Sequence, residues 1–543
     1  MLTERDIRII RKIEKEYVDE EYKKYKIIYR ANDLTIPLLL KFLGDFIRDL
    51  DNDNSLKLIN YLQRNYLNSH VISGVEHCFR WLSKKPAITL PTSIYTSHEA
   101  ESEIKNLIGW AIQYSKISIN YVAWSRGLIH ATLHETKKHI SFAVPEEANI
   151  KFIIYQSVSE KKHWDTYIDS IPYVELKEGF PVWIKKCTFE IDNYEIPWNL
   201  YKGTSAHSAV LKMMSNTILP ELPYNTNLGD YTLGEFRKLF TALFINFTYY
   251  TWVEDYYDKK FGSENIFGSS PVCLPEGDMV SWLSEMSDVD KISIKSMLQD
   301  LIFDVSNFHS KLVYQPFIAS FNNIYTLPRL IARINPARSL TGALNKGNKK
   351  KIYDRLICDL EQANLLKIQS FFNRYGFTTY KEKKLTINGK QLSPDLLIFD
   401  EKNNDLLILD YKHFLAPLGA SEVAYKMSEA KKGIKQVKMY FDILSSNKEY
   451  LEKLFGKNNI NIYGLLLFRW PTPIPLSSIP EVNITDWLSL QEFFSRNSNG
   501  TIQETINWIQ KRDDLNEYTK QISWHTEDIS VGNWTISTMI ASL

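Results

Sequence analysis

Two short apolar runs lie six residues apart in the last third of the chain, Leu396-Leu397-Ile398-Phe399 and Leu406-Leu407-Ile408-Leu409. Four-residue apolar runs bounded by turn formers read as buried strands, and the Asn- and Asp-rich stretch at 400–405 reads as a tight connection. The pair is constrained to fold as a buried antiparallel hairpin. Pro394-Asp395 leads into the first strand and Asp410-Tyr411-Lys412 closes the second. The hairpin therefore carries Asp395 and Asp410 to one end of a sheet. Strand alternation then puts Lys412, two residues on, on the face of Asp410.

The surrounding sequence supplies a setting for this hairpin. Lys349 to Tyr375 carries Ile352, Leu356, Leu360, Leu365, Ile368 and Phe372 on one apolar face, with Gly376 as the C-cap. Lys384 to Ile387 reads as a strand. A helix is expected from about Ser421 to Leu444, and Ile460 to Phe468 reads as a last buried strand. The order is helix, three strands, helix, strand.

Two carboxylates and a lysine at one sheet end can hold a hard divalent cation beside a phosphodiester, because Mg²⁺ prefers carboxylate oxygens. A third acid can come from the preceding helix. Glu361 is the choice, with Asp359 and Asp354 as competitors. His413 falls on the opposite face and is read as structural.

These residues resemble the PD-(D/E)XK nuclease superfamily, as Pro394-Asp395 followed by Asp410-Tyr411-Lys412 in the matching element order. Gln436-Val437-Lys438-Met439-Tyr440 is similar to the Gln-x-x-x-Tyr signature of its RecB-like branch. The resemblance covers about residues 348–470. It implies Mg²⁺- or Mn²⁺-dependent hydrolysis of DNA leaving 5′-phosphate ends, with Asp395, Asp410 and Glu361 on the metal. It also implies that Lys412 acts in catalysis and that Gln436 and Tyr440 help hold substrate and ligands. Only Cys358 lies in this region, so the iron–sulfur cluster of some relatives is not expected.

Charge distribution points the same way. From Arg338 to Arg469 there are 23 Lys and Arg against 14 Asp and Glu, although the whole chain is only +1. A basic module on an acidic remainder suits a polyanionic partner.

Length and composition bound the rest. At 543 residues, with 44% hydrophobic and 24% charged positions, the chain suits several folded domains. Residues 1–95 read as a helical region and 205–340 as a mainly helical one. The latter is read with helices at His207–Ile218, Leu233–Tyr257 and Asp288–Leu312. Residues 96–204 read as mixed α/β, with strands at Ile117–Val122, Ile150–Tyr155, Val182–Ile184 and Cys187–Ile191. A loop boundary is placed over Asn335–Asn348, the nuclease-like domain at 341–480, and a C-terminal extension at 481–543.

The four cysteines are too scattered for a zinc knuckle and read as reduced, buried thiols. His130 and His134 would pair on a helix, with His139 nearby, but lack the H-E-x-x-H pattern of a zinc enzyme. There is no phosphate-binding P-loop. The longest uncharged apolar stretch, Leu239 to Val253, is shorter than the roughly 20 residues of a membrane span and reads as a buried helix. No basic-then-apolar leader opens the chain.

The expectation is a cytoplasmic α/β multidomain protein. It has an N-terminal helical and mixed body and a C-terminal restriction-endonuclease-like α-β-β-β-α-β core. Its expected work is DNA cleavage as the effector of a prokaryotic anti-phage defence or restriction-like system. Beside DNA, its candidate partner is a separate ATPase or sensor subunit. No membrane is involved, and homo-oligomerisation is open. The alternatives are a sequence-specific restriction endonuclease and a catalytically inactive DNA-binding scaffold.

Overall fold

The computed structural model describes the chain except for residues 1, 30–31, 53–57, 85–96, 144–166, 190–193, 196–197, 199–200, 262–270, 308–309, 346–348, 388, 414–419, 471–480, 513–522 and 543. The expected strand at Ile150–Tyr155 lies outside the described residues.

The chain is mixed α/β. Its N-terminal part is dominated by helices, among them Asn32–Asn52, Leu58–Ser83, Ser97–Ser125 and Leu233–Phe261. They pack into one large apolar core, which also takes in short sheets. The apolar stretch 239–253 is the buried middle of the last of these helices. No helix among the described residues is long and apolar enough to cross a membrane.

Several expected elements differ from the observed ones. Ile117–Val122 is helical, inside Ser97–Ser125. Its I-S-I-N-Y-V alternation also satisfies a helix: Ile117 and Tyr121, four apart, are buried, while Ile119 is exposed. Val182–Ile184 ends the helix Tyr173–Ile184, which buries Leu176 and Trp183 seven residues apart and exposes Val182. Of the strand expected at Cys187–Ile191, Thr188–Phe189 forms one with Tyr194–Glu195, and residues 190–191 lie outside the described residues. The helix expected over Asp288–Leu312 spans only Lys291–Leu301, because Ile302 turns extended and the Phe303 N–H donates to the Phe317 carbonyl. Residues 335–348 are not all loop: Asn335 caps the helix Pro336–Leu344, with Pro336 at its first turn. Cys273 and Cys358 are exposed rather than buried, while Cys78 is buried.

After this helix the elements are α1 (Lys350–Arg374), β1 (Thr378–Lys381), β2 (Leu385–Ile387), β3 (Lys390–Leu392), β4 (Leu396–Asp400), β5 (Asp405–Lys412), α2 (Ala420–Ser445), α3 (Lys448–Phe455), β6 (Asn461–Phe468), β7 (Val482–Asp486), α4 (Trp487–Arg496) and α5 (Ile502–Lys511). One sheet runs β7-β6-β5-β4-β1, antiparallel at β1/β4 and β4/β5 and parallel at β5/β6 and β6/β7.

The β4–β5 turn is built as its sequence suggests. Asp400 Oδ1 accepts from the N–H groups of Lys402 and Asn403, and Asn404 takes a left-handed conformation. Gly376, at φ +88°, ends α1 as expected. The strand expected at Lys384–Ile387 is real but pairs only with β3 in a separate ribbon. The third antiparallel strand of the main sheet is instead β1, Thr378–Lys381, whose half-buried polar sequence carries no apolar alternation.

Helices cover both faces of this sheet. Leu365, Ile368 and Phe372 of α1 join Leu407, Leu409 and Tyr411 with residues of α4 and α5. On the other face, Leu397, Leu406 and Ile408 meet Tyr440 and Leu444 of α2 and the β2–β3 ribbon. Strand β7 and helices α4 and α5 thus continue the sheet and its core beyond residue 480. The final hairpin, Ser523–Val531 with Trp534–Ser542, returns to the N-terminal part and pairs with His139–Ala143. Helix α1 joins the two parts: Leu356 and Leu360 pack in the large core, and Leu365 onward in the sheet's core.

Candidate active site

The β4/β5 register pairs Leu396 with Leu409, which sets Asp395 across from Asp410 where the two strands open. Asp395 is held by the backbone, its Oδ2 accepting the Tyr411 N–H at 2.8 Å. Asp410 is 1% exposed, and Lys412 Nζ lies 2.8 Å from its Oδ2. Apart from that ammonium and the Asp395 carboxyl opposite, no hydrogen-bonding group among the described residues reaches either Asp410 oxygen. Gly433 of α2 permits this close packing, since a Cβ there would meet Leu466 at 2.8 Å and Asp410 Oδ2 at 3.4 Å.

Burial sets the electrostatics. It pushes the Asp410 carboxyl up to about 7, with Lys412 pulling down and Asp395 pushing up. Burial by itself would lower the Lys412 amine, but Asp410, Asp395 and Glu361 outweigh it and hold the amine above its ordinary value. Lys412 is therefore an ammonium at neutral pH, a donor rather than a base.

Glu361 lies on α1 at the passage between the two cores. Its Oε1 accepts the His413 N–H at 3.3 Å. Burial raises its carboxyl, against the pull of that hydrogen bond and of Lys412. The competitors point elsewhere: Asp354 pairs with Lys350 at 2.7 Å and Asp359 is exposed. Gln436 Nε2 donates to Tyr440 Oη at 2.9 Å, and Tyr440 donates to the Ser393 carbonyl at 3.3 Å. This pair braces the segment that delivers Asp395. His413 packs with Tyr411 on the far face, as alternation predicts.

Two contributors escape sequence reasoning. One is the His413 backbone N–H, which no side-chain pattern could reveal. The other is Lys426, which lies within electrostatic reach of Glu361. Lys426, Gly433, Gln436 and Tyr440 recur at helical spacing, a signal that is readable in the sequence.

The histidine group has no ligand geometry. His130–His134 is a strand, His134 stacks on His139, and His139 Nε2 meets Ser537 Oγ at 2.6 Å. Among the described residues no three His, Cys, Asp or Glu side chains are grouped to hold a metal. Asp395 and Asp410 nevertheless fit a hard cation. They are oxygen donors, Asp410 is buried with the Lys412 ammonium as its one cationic partner, and Mg²⁺ is commonly held by one or two carboxylates with water and substrate oxygens completing its shell. The chain matches no known protein family, no curated protein and no solved structure.

Proposed function

We propose that residues 350–511 form a divalent-cation-dependent deoxyribonuclease of the PD-(D/E)XK type, more an endonuclease than an exonuclease. The observation that carries this reading is the buried Asp410 carboxylate, facing Asp395 and touched by the Lys412 ammonium. Asp395 and Asp410 would hold the cation, with Glu361 beside them. A bound Mg²⁺ supplies positive charge against the scissile phosphate and makes a nearby water more acidic. Lys412 donates to the phosphate or to the attacking water and stabilises the charge that develops there. Gln436 and Tyr440 keep the Asp395 segment in place. The remaining residues serve recognition or control, in keeping with an effector of anti-phage defence that works beside a separate ATPase or sensor.

One observation favours an inactive DNA-binding scaffold instead: the described residues hold no three-ligand metal group. The two readings separate when the purified chain is incubated with plasmid and linear DNA in Mg²⁺, Mn²⁺ or EDTA. Cation-dependent cleavage supports the nuclease, and discrete fragments would make it a site-specific one. Binding without cleavage under every condition would overturn the nuclease and leave the scaffold.

A further inference from the structure

At the seam between the two parts of the chain lies a small group of buried donors without well-formed hydrogen bonds. Arg338, on Pro336–Leu344, stacks its guanidinium 5.4 Å over the ring centre of Tyr314. Its Nη2 is buried without a well-formed hydrogen bond among the described residues, and so is the hydroxyl of Tyr314, a residue only 6% exposed, although the two groups are close enough to interact with each other. Buried polar groups are nearly always paired, and an orphaned donor is destabilising, more so when charged. Two buried donors left with only long or poorly aligned partners call for an explanation.

An anion stands close by. Glu422 lies on the first turns of α2, and its Oε2 is 3.9 Å from Arg338 Nη2, at the edge of ion-pair range. One helical turn further on is Lys426, on the α2 face that leads through Gly433 to Asp410. Lys426 feels Arg338 and Lys350 as like charges and Glu422 and Glu429 as opposite ones, and burial lowers its amine to about 8. Lys426 thus lies within electrostatic reach of Arg338 at the seam and of Glu361 beside the candidate site. Partly buried positive charge gathered in one place favours the arrival of an anion.

We propose that Arg338, Tyr314 and Lys426 form a phosphate subsite for the strand held by the active site, with the Glu422 carboxylate standing where that phosphate binds. This rests on the nuclease reading and extends it. The N-terminal part would contribute Arg338 and Tyr314 directly to substrate binding, so the catalytic module would be incomplete without it. A phosphodiester would take the Arg338 and Tyr314 donors and displace Glu422.

The test is binding of a fluorescein-labelled duplex and a labelled single strand to the full chain in EDTA, followed by anisotropy across a salt series. Arg338→Gln should weaken binding about tenfold and reduce the salt slope by about one. Glu422→Gln should tighten binding, because it removes the competing carboxylate. Tyr314→Phe, which keeps the ring under Arg338, should weaken it a fewfold. If Glu422 were only a structural partner of Arg338, Glu422→Gln would lower the melting temperature and leave affinity unchanged or weaker, and that result overturns the proposal. An unchanged affinity and salt slope in Arg338→Gln overturns it as well.

The nuclease reading is judged separately, by cleavage in Mg²⁺. Wild-type cleavage with no effect of Arg338→Gln on binding sinks the subsite alone. Loss of binding in Arg338→Gln, with cleavage unaffected by Asp410→Ala, sinks the catalytic assignment alone.

Discussion

Replacing Asp410 by asparagine should change how stability depends on pH. Asp410 is 1% exposed, and burial pushes its carboxyl from 3.8 to about 7. In the unfolded chain it titrates near the ordinary value. A raised folded pKa means that the native state binds the proton more tightly. The resulting stability is complete below about pH 4 and is lost as pH rises through about 7. Linkage over a shift of this size removes roughly 2–3 kcal/mol between pH 5 and pH 8. An asparagine at this position has no proton to lose, so the Asp410→Asn variant should lack this part of the slope.

The assay is urea unfolding in EDTA at pH 5, 6, 7 and 8 for both proteins. The wild type should lose roughly 2–3 kcal/mol relative to the variant across that range. Addition of Mg²⁺ should restore the wild type at pH 8 and leave the variant nearly unchanged, because a bound cation favours the ionised carboxylate. Parallel pH profiles in EDTA would refute the buried-carboxylate account. A wild type indifferent to Mg²⁺ at pH 8 would refute Asp410 as a cation ligand.

Other substitutions probe the support of the site. Tyr440→Phe removes the hydrogen bonds to Gln436 and Ser393 and should cost about 1 kcal/mol in urea unfolding, with slower cleavage as the Asp395 segment loosens. Gly433→Ala places a Cβ 2.8 Å from Leu466 and 3.4 Å from Asp410, and should cost about 1–3 kcal/mol by overpacking, read as a lower melting temperature. A thiol reagent applied to the native protein should label Cys273 and Cys358 and spare Cys78, as mass spectrometry of the peptides would show.

The hairpin is the most legible part of the chain because its signal is local. Two apolar runs, an Asx turn and flanking acids all lie within Pro394 to Lys412, and the register follows from them. Glu361 can be singled out because one face of α1 is apolar and only a few acids lie near it. Strand β1 escapes a reading by pattern because an edge strand with four half-buried residues needs no apolar alternation. Ile117–Val122 misleads because a helix that buries Ile117 and Tyr121 shares a short alternating pattern with a strand. The Asn335-Pro336 pair reads as loop, although the same residues are an N-cap and a first-turn proline. Pairings such as Thr535 with His139, and the contact of Arg338 with Tyr314, join distant segments and leave no local trace.

The central claim is that Asp410 and Lys412 carry phosphodiester cleavage. The direct measurement is the rate at which wild type, Asp410→Ala and Lys412→Ala cut plasmid and linear DNA in Mg²⁺ or Mn²⁺, after matched melting temperatures show each protein folded. The account predicts cation-dependent cleavage by the wild type and a loss of at least about a hundredfold in both variants. Equal cleavage by all three proteins would contradict it.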